Sequence, residues 1–234
     1  PVIANDIDKS AIDTHRENIG EQAVCGDINS EEVFNRIVEA AKEARKKNPN
    51  LPLFVLGGPP CQGFSTANTR RGADDMRNWL FKAYAKILNT IRPDGFIFEN
   101  VRGITNLEGG RFFEMIKEEL KKSVDDMKVN HVNSADFGIP QRRERVIIVG
   151  GDKNFVSDFT MTPITGVYKD GQIGILPQVI GVKQALDDLP RIEQSEDGSN
   201  YEYRTEAQTD FQKLMRGELS PDDYLKSYKK IGGE

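Results

Sequence analysis

Cysteine and histidine are scarce, two of each in 234 residues, and that scarcity closes off several chemistries at once. Cys25 and Cys61 could form one bridge, but not a disulfide framework; as free thiols they fit a reducing compartment, so the sequence predicts a cytoplasmic protein. His15 and His131 are scattered, no Cys/His spacing resembles a zinc site, and no metal is expected. Long apolar runs are missing too. Nothing approaches the roughly 18 residues of a membrane span, and no charged-then-apolar leader with a small-residue cleavage site opens the chain. Positive charge is not in excess: 32 Lys and Arg stand against 37 Asp and Glu, a net charge of −5. That balance counts mildly against a nucleic-acid partner, although a local basic patch suffices for phosphate contact. A hydrophobic share of 37% and a charged share of 29% place the chain among soluble globular proteins rather than disordered ones.

What is present is an alternation. The apolar runs Val2-Ile3-Ala4, Ala23-Val24-Cys25, Leu53-Phe54-Val55-Leu56, Phe96-Ile97-Phe98 and Val146-Ile147-Ile148-Val149 suit strands buried on both faces. Between them fall helical patterns. Residues 31–47 place Val33, Phe34, Ile37, Val38, Ala41 and Ala44 on one stripe, with Asn29 and Glu32 as the expected cap, and residues 79–91 and 111–124 are two more amphipathic helices. Such alternation implies an α/β fold with an open, mostly parallel sheet. Asp6, Asp27, Cys61 and Glu99 each follow a strand, and ligands of open α/β sheets bind beyond the carboxyl ends of strands, so four strand ends should meet at one cleft. Beyond Gly150 the pattern weakens. Residues 1–150 read as the main domain and 151–234 as a linker and the start of a second region, with short helices at 182–189, 205–216 and 221–230. His15 is expected on a helix after Asp8, His131 on a late strand, and Cys25 as a small buried side chain.

Three segments carry chemistry-bearing residues. In Gly57-Gly58-Pro59-Pro60-Cys61-Gln62-Gly63-Phe64-Ser65 a thiol sits on a tight Gly/Pro loop straight after a buried strand; the alternative is an ordinary turn with an incidental cysteine. In Phe98-Glu99-Asn100-Val101 a carboxylate at a strand end, if shielded from water, would have its pKa raised into the range of a working acid; the alternative is a loop cap. In Gln141-Arg142-Arg143-Glu144-Arg145, Arg143 and Arg145 share one side of a strand at period two, making a fork for a carbonyl, carboxylate or phosphate; the alternative is a solvated strand start.

In this order and spacing the segments resemble the cytosine-5 methyltransferase family: Pro-Cys-Gln at 60–62, Glu-Asn-Val at 99–101 and Gln-x-Arg-x-Arg at 141–145. Asn5-Asp6-Ile7-Asp8 is similar to the family's acidic ribose-binding segment, Gly26-Asp27-Ile28 to its adenine-contacting segment, and Arg77-Asn78 with Leu80-Phe81 to the stretch after its catalytic loop. The resemblance implies a Rossmann-like methyltransferase fold, mostly parallel with a late antiparallel strand. It also implies transfer of a methyl group from S-adenosylmethionine to carbon 5 of cytosine in double-stranded DNA. Cys61 would be the nucleophile, with Glu99, Arg143 and Arg145 catalytic; Asp6, Ile7, Asp27, Ile28, Pro60 and Leu80 would bind the methyl donor. Gln62, Ser65, Arg70, Arg71 and Arg77 would contact DNA, although the arginines of 66–78 can also be read as a solvated loop paired with Asp74 and Asp75. Two other readings stand beside this one, an RNA cytosine-5 methyltransferase and a non-catalytic nucleic-acid-binding remnant.

The sequence departs from the family in lacking the Gly-rich loop after the first strand, the closing motifs, and most of the target-recognition region. The expected sheet is therefore incomplete, without a first, central strand between those ending at Asp6 and at Gly58, which would leave backbone groups unpaired on both neighbours.

Overall fold

Residues 4–25 form a strand–helix–strand unit: β1 (Ala4–Asp6), α1 (Lys9–Asn18) and β2 (Ala23–Cys25), with β1 and β2 parallel and Asp6 opposite Cys25. These coordinates come from a computed structural model that describes residues 1–60, 80–163 and 180–231, the last four by backbone alone. Asp8 caps α1, its carboxylate accepting from the Ser10 hydroxyl and backbone N–H, and those bonds hold its pKa below the usual value. His15 lies on α1 and His131 on the late strand β5 (Asp126–Asn133), as expected.

The stripe of the next helix is realised in α2 (Glu31–Lys47), which buries Val33, Val38 and Ala41. Its cap is Ser30, not Asn29: the Ser30 hydroxyl accepts from the Val33 N–H at 3.3 Å, while the Asn29 N–H and amide are both taken by Asp27 Oδ1. Ser30→Ala is expected to cost about 1 kcal/mol; an unchanged thermal midpoint would remove Ser30 from the capping role.

The larger sheet contains β3 (Phe54–Gly57), β4 (Gly95–Val101), β5 and β6 (Glu144–Gly151) in the order β3-β4-β6-β5. β3 and β4 are parallel and β6 runs antiparallel to β4, so the late antiparallel strand is present. β1 and β2 make a sheet of their own, and among the described residues no strand joins β1 to β3. Leu56 on β3 is 71% exposed, far more than expected of a strand buried on both faces.

Helices α3 (Leu80–Ile91) and α4 (Arg111–Lys121) cover one face of the larger sheet. The core there joins Phe81, Tyr84 and Leu88 of α3 and Ile116 and Leu120 of α4 to Phe96 and Phe98 of β4 and Val146 and Ile148 of β6. The pairing register fixes which side chains share a face. Phe98 lies opposite Ile148 and Asn100 opposite Val146 on the helix side; Glu99 lies opposite Ile147 and Val101 opposite Arg145 on the other side.

The chain divides into two compact units, Pro1–His131 with Arg145–Thr160, and Val132–Glu144 with Met161–Glu234. The first unit ends in α5 (Lys153–Asp158). The second contains α6 (Val182–Leu186), α7 (Asp210–Met215) and α8 (Pro221–Ile231), all three within or at the margins of the expected spans and the last beginning at Pro221. It buries polar side chains beside Ala185 and Tyr224. Asp188 and Arg216, with side chains 3% and 9% exposed, form an ion pair at 2.6 Å, and the Gln212 amide donates to Gln184 O at 2.9 Å. Among the described residues no helix is long and apolar enough to cross a membrane, and no cluster of His, Cys, Asp and Glu could hold a metal.

Candidate active site at the strand ends

Parallel pairing brings carboxyl ends together. In the first pair, Asp6 is the last residue of β1, and Asp27 stands two residues past β2. The Asn5 amide donates to Val24 O and Gly26 O, both at 3.0 Å, tying the two strand ends together. One oxygen of each carboxylate is already engaged, Asp6 Oδ1 by the Asp8 N–H at 2.9 Å and Asp27 Oδ1 by the Asn29 N–H at 2.9 Å, and both residues are exposed. Ile7 is 71% exposed and Ile28 half-buried beside them in sequence. Two oriented, solvent-facing carboxylates on a parallel sheet edge suit hydroxyl or amino donors of a ligand. Cys25, expected to be buried, is exposed, because it ends β2 and its thiol points no deeper than Ile7 O, 3.7 Å away.

The second pair presents different chemistry. Glu99 lies inside β4 rather than past its end, since the strand continues to Val101. It is the diagonal neighbour of Arg145 on the same sheet face, and Glu99 Oε1 stands 2.6 Å from Arg145 Nε. The Nε–H does not point along that line, so the contact is an ion pair by proximity rather than a directed hydrogen bond. The guanidinium is 18% exposed and the carboxylate 43%, so Glu99 is not shielded from water as its strand-end position suggested.

The turn that leaves β3 is packed against this pair. A Cβ at Gly58 would lie 2.8 Å from Glu99 Oε2, so any other residue there would displace the end of the Glu99 side chain. Asn100, 5% exposed, donates its amide to Pro59 O at 3.0 Å and accepts from the Val101 N–H at 2.9 Å. The backbone leading to Pro60 and Cys61 is therefore held by the residue next to Glu99. Asn100 and Gly58 were visible in the motif segments, but nothing in the spacing showed that one would grip and the other clear the turn.

The matching family model is that of the C-5 cytosine-specific DNA methylases, over residues 1–230. The chain belongs to that family. A C-5 cytosine methylase chain of this kind is 35% identical over 191 residues to the type II methyltransferase M1.ScrFI of Lactococcus lactis subsp. cremoris, covering 80% of this chain and 45% of that one. It is 31% identical over 230 residues to the type II methyltransferase M.AgeI of Thalassovita gelatinovora, covering 92% of this chain and 52% of the relative. Among solved structures it resembles one described as a DNA modification methyltransferase encoded within an E. coli prophage, with a TM-score of 0.54, 27% identity, and coverage of 81% of this chain and 49% of that one. The chain thus spans about half the length of these relatives. The mixed sheet is the Rossmann-like arrangement of S-adenosylmethionine-dependent methyltransferases.

Of the family residues expected from sequence, the structure brings together Asp6 with Asp27, and Glu99 with Arg145 and the Gly58 turn. Arg143 falls one residue before β6, so it does not share a strand face with Arg145. It is exposed in the second unit, its N–H donating to Asn133 Oδ1 at 3.1 Å. Leu80 is half-buried at the first turn of α3, and Pro60 is exposed. Cys61, Gln62, Ser65, Arg70, Arg71 and Arg77 lie outside the described residues.

Proposed function

We propose that the protein methylates carbon 5 of cytosine in double-stranded DNA through a covalent bond between Cys61 and a base swung out of the duplex. What supports this reading is the Glu99 and Arg145 pair, 2.6 Å apart, packed against the turn that leads to Cys61. Carbon 5 of cytosine is a poor nucleophile. Attack by the Cys61 thiolate on carbon 6 pushes the ring electrons towards carbon 5, and Glu99 holds or protonates ring nitrogen 3 as charge develops. Arg145, with Arg143 as a second candidate, grips the exocyclic oxygen. Once carbon 5 carries the methyl group, loss of its proton to a solvent base returns the electrons to the ring and expels the thiolate.

S-adenosylmethionine, when bound, supplies the electrophilic methyl group. Two exposed carboxylates at coincident strand ends suit its adenosine, with Asp6 on the ribose hydroxyls and Asp27 on the adenine amino group, and Ile7, Ile28, Pro60 and Leu80 as apolar neighbours. Because a stacked base cannot reach a thiol, the target nucleotide must leave the helix. Arg70, Arg71 and Arg77 neutralise phosphates, and Gln62 and Ser65 stand next to the nucleophile in sequence to contact the DNA. A cytoplasmic protein of a prokaryote or phage, acting in restriction–modification, is the setting this reading fits.

Duplex DNA carrying 5-fluorocytosine tests the mechanism, because fluorine cannot leave as the proton does. With the methyl donor present, a denaturant-resistant adduct is expected on Cys61, lost in Cys61→Ala and retained in Cys25→Ala. Methylation of transfer RNA but not duplex DNA would reassign the substrate, and an adduct on neither nucleic acid would reduce the chain to a binding remnant.

A further inference from the structure

We infer that Tyr84 is a positioning residue of this site, its hydroxyl fastening the strand that leads to the nucleophile loop to the strand that carries Glu99. The inference rests on the methyltransferase reading above. Tyr84 lies on α3, 4% exposed, in a core otherwise made of apolar side chains. Its hydroxyl is 3.2 Å from Val55 O on β3 and 3.0 Å from Ile97 O on β4. A phenol has one proton, and here it faces two carbonyls on two different strands. Each carbonyl belongs to a residue two positions before a group that shapes the site: Val55 precedes Gly57, where the turn begins, and Ile97 precedes Glu99.

The ring adds a second constraint. A Cβ at Gly57 would lie 2.5 Å from Tyr84 Cε2, so the ring occupies the space a side chain at Gly57 would need. The ring itself is wedged against Phe98, with centroids 5.7 Å apart, and Phe96 at 6.4 Å. Burial raises the phenol pKa, so the hydroxyl remains a neutral donor across the working range. For packing alone, phenylalanine would fill this volume. The oxygen adds a tie between strands at the point where the spacing of turn and carboxylate is set.

The test compares Tyr84→Phe with Ile116→Val, a change in the same core but on α4. Both are expected to lower the thermal midpoint by roughly 2–4 °C, as befits about one lost hydrogen bond or methyl group in a chain of this size. Only Tyr84→Phe should slow formation of the 5-fluorocytosine adduct, by about tenfold, since ångström-scale misplacement costs up to about a hundredfold. The final adduct yield and the KM for DNA should be unchanged, which separates slower chemistry from a smaller folded fraction. A Tyr84→Phe rate within twofold of the parent, or equal slowing by Ile116→Val, overturns the inference.

If the parent chain forms no adduct, the methyltransferase reading falls, and amide exchange decides the positional claim. Tyr84→Phe must then speed exchange in residues 54–58 and 95–99 more than Ile116→Val does. Equal effects overturn it.

Discussion

Glu99→Gln is expected to slow methyl transfer to DNA by about 10²–10⁴-fold, the range of a lost general acid, with DNA affinity changed little. The substitution is nearly isosteric, so the turn at Gly58 still clears the side chain. What disappears is the negative charge beside Arg145 and, on the proposed mechanism, the capacity to deliver a proton to ring nitrogen 3. Loss of the charge also leaves the Arg145 guanidinium, only 18% exposed, without its carboxylate at 2.6 Å. The two consequences separate experimentally. Weakening of the ion pair appears as a modest fall in thermal midpoint, because the carboxylate is 43% exposed and solvent already screens it. Loss of the acid appears in the single-turnover rate at saturating DNA and methyl donor. A rate reduced less than tenfold would remove Glu99 from the chemical step.

Arg216→Ala should be the most damaging single change to the second unit, costing about 3–5 kcal/mol, because it strands a buried carboxylate. Asp188 is 3% exposed, its Oδ2 accepts from Arg216 Nε at 3.0 Å and Nη2 at 2.6 Å, and its Oδ1 is buried without a hydrogen-bond partner among the described residues. The same guanidinium donates to Thr205 O at 2.7 Å and stacks on the Tyr203 ring at 3.7 Å, so one side chain fastens the segments around 188, 203–205 and 216. Asp188→Ala leaves the guanidinium with the Glu218 carboxylate at 3.9 Å as its remaining ion-pair partner, and should cost less. Replacing both by apolar residues of similar size, Asp188→Leu with Arg216→Met, should recover much of the loss, since an apolar pair carries no charge into the interior. Amide exchange across 182–224 measures this directly. A double variant as unstable as the sum of its singles would deny the coupling.

Much of the architecture could be read without coordinates. Residues 31–47 form a helix with the bounds their periodicity implied, and Ala23–Cys25 forms a strand over the whole predicted run. Errors arose where a local choice depended on distant partners. Asn29 is a good cap by type, but Asp27 claims it, and Ser30 caps in its place. Cys25 has the size and neighbours of a buried thiol, yet it ends a two-stranded sheet with nothing described beyond it. For the site, residue types and order were legible as motifs. The facing of Glu99 and Arg145 was not, because it follows from the antiparallel register of β4 and β6, strands more than forty residues apart in sequence. Tyr84 was invisible for a related reason: its significance lies in which carbonyls it reaches.

The separation of the two ladders has a mechanical meaning. The proposed adenosine-binding carboxylates ride on β1 and β2, the proposed base-handling groups on β3, β4 and β6, and among the described residues no inter-strand amide links one platform to the other. One linkage runs through α2, where Lys86 of α3 sits over the Phe34 ring at 4.2 Å and Arg45 donates to Arg92 O and reaches Asp94. On the proposed reading, alignment of methyl source and target base leans on this helix seam, and substitutions at Phe34 or Arg45 would loosen it.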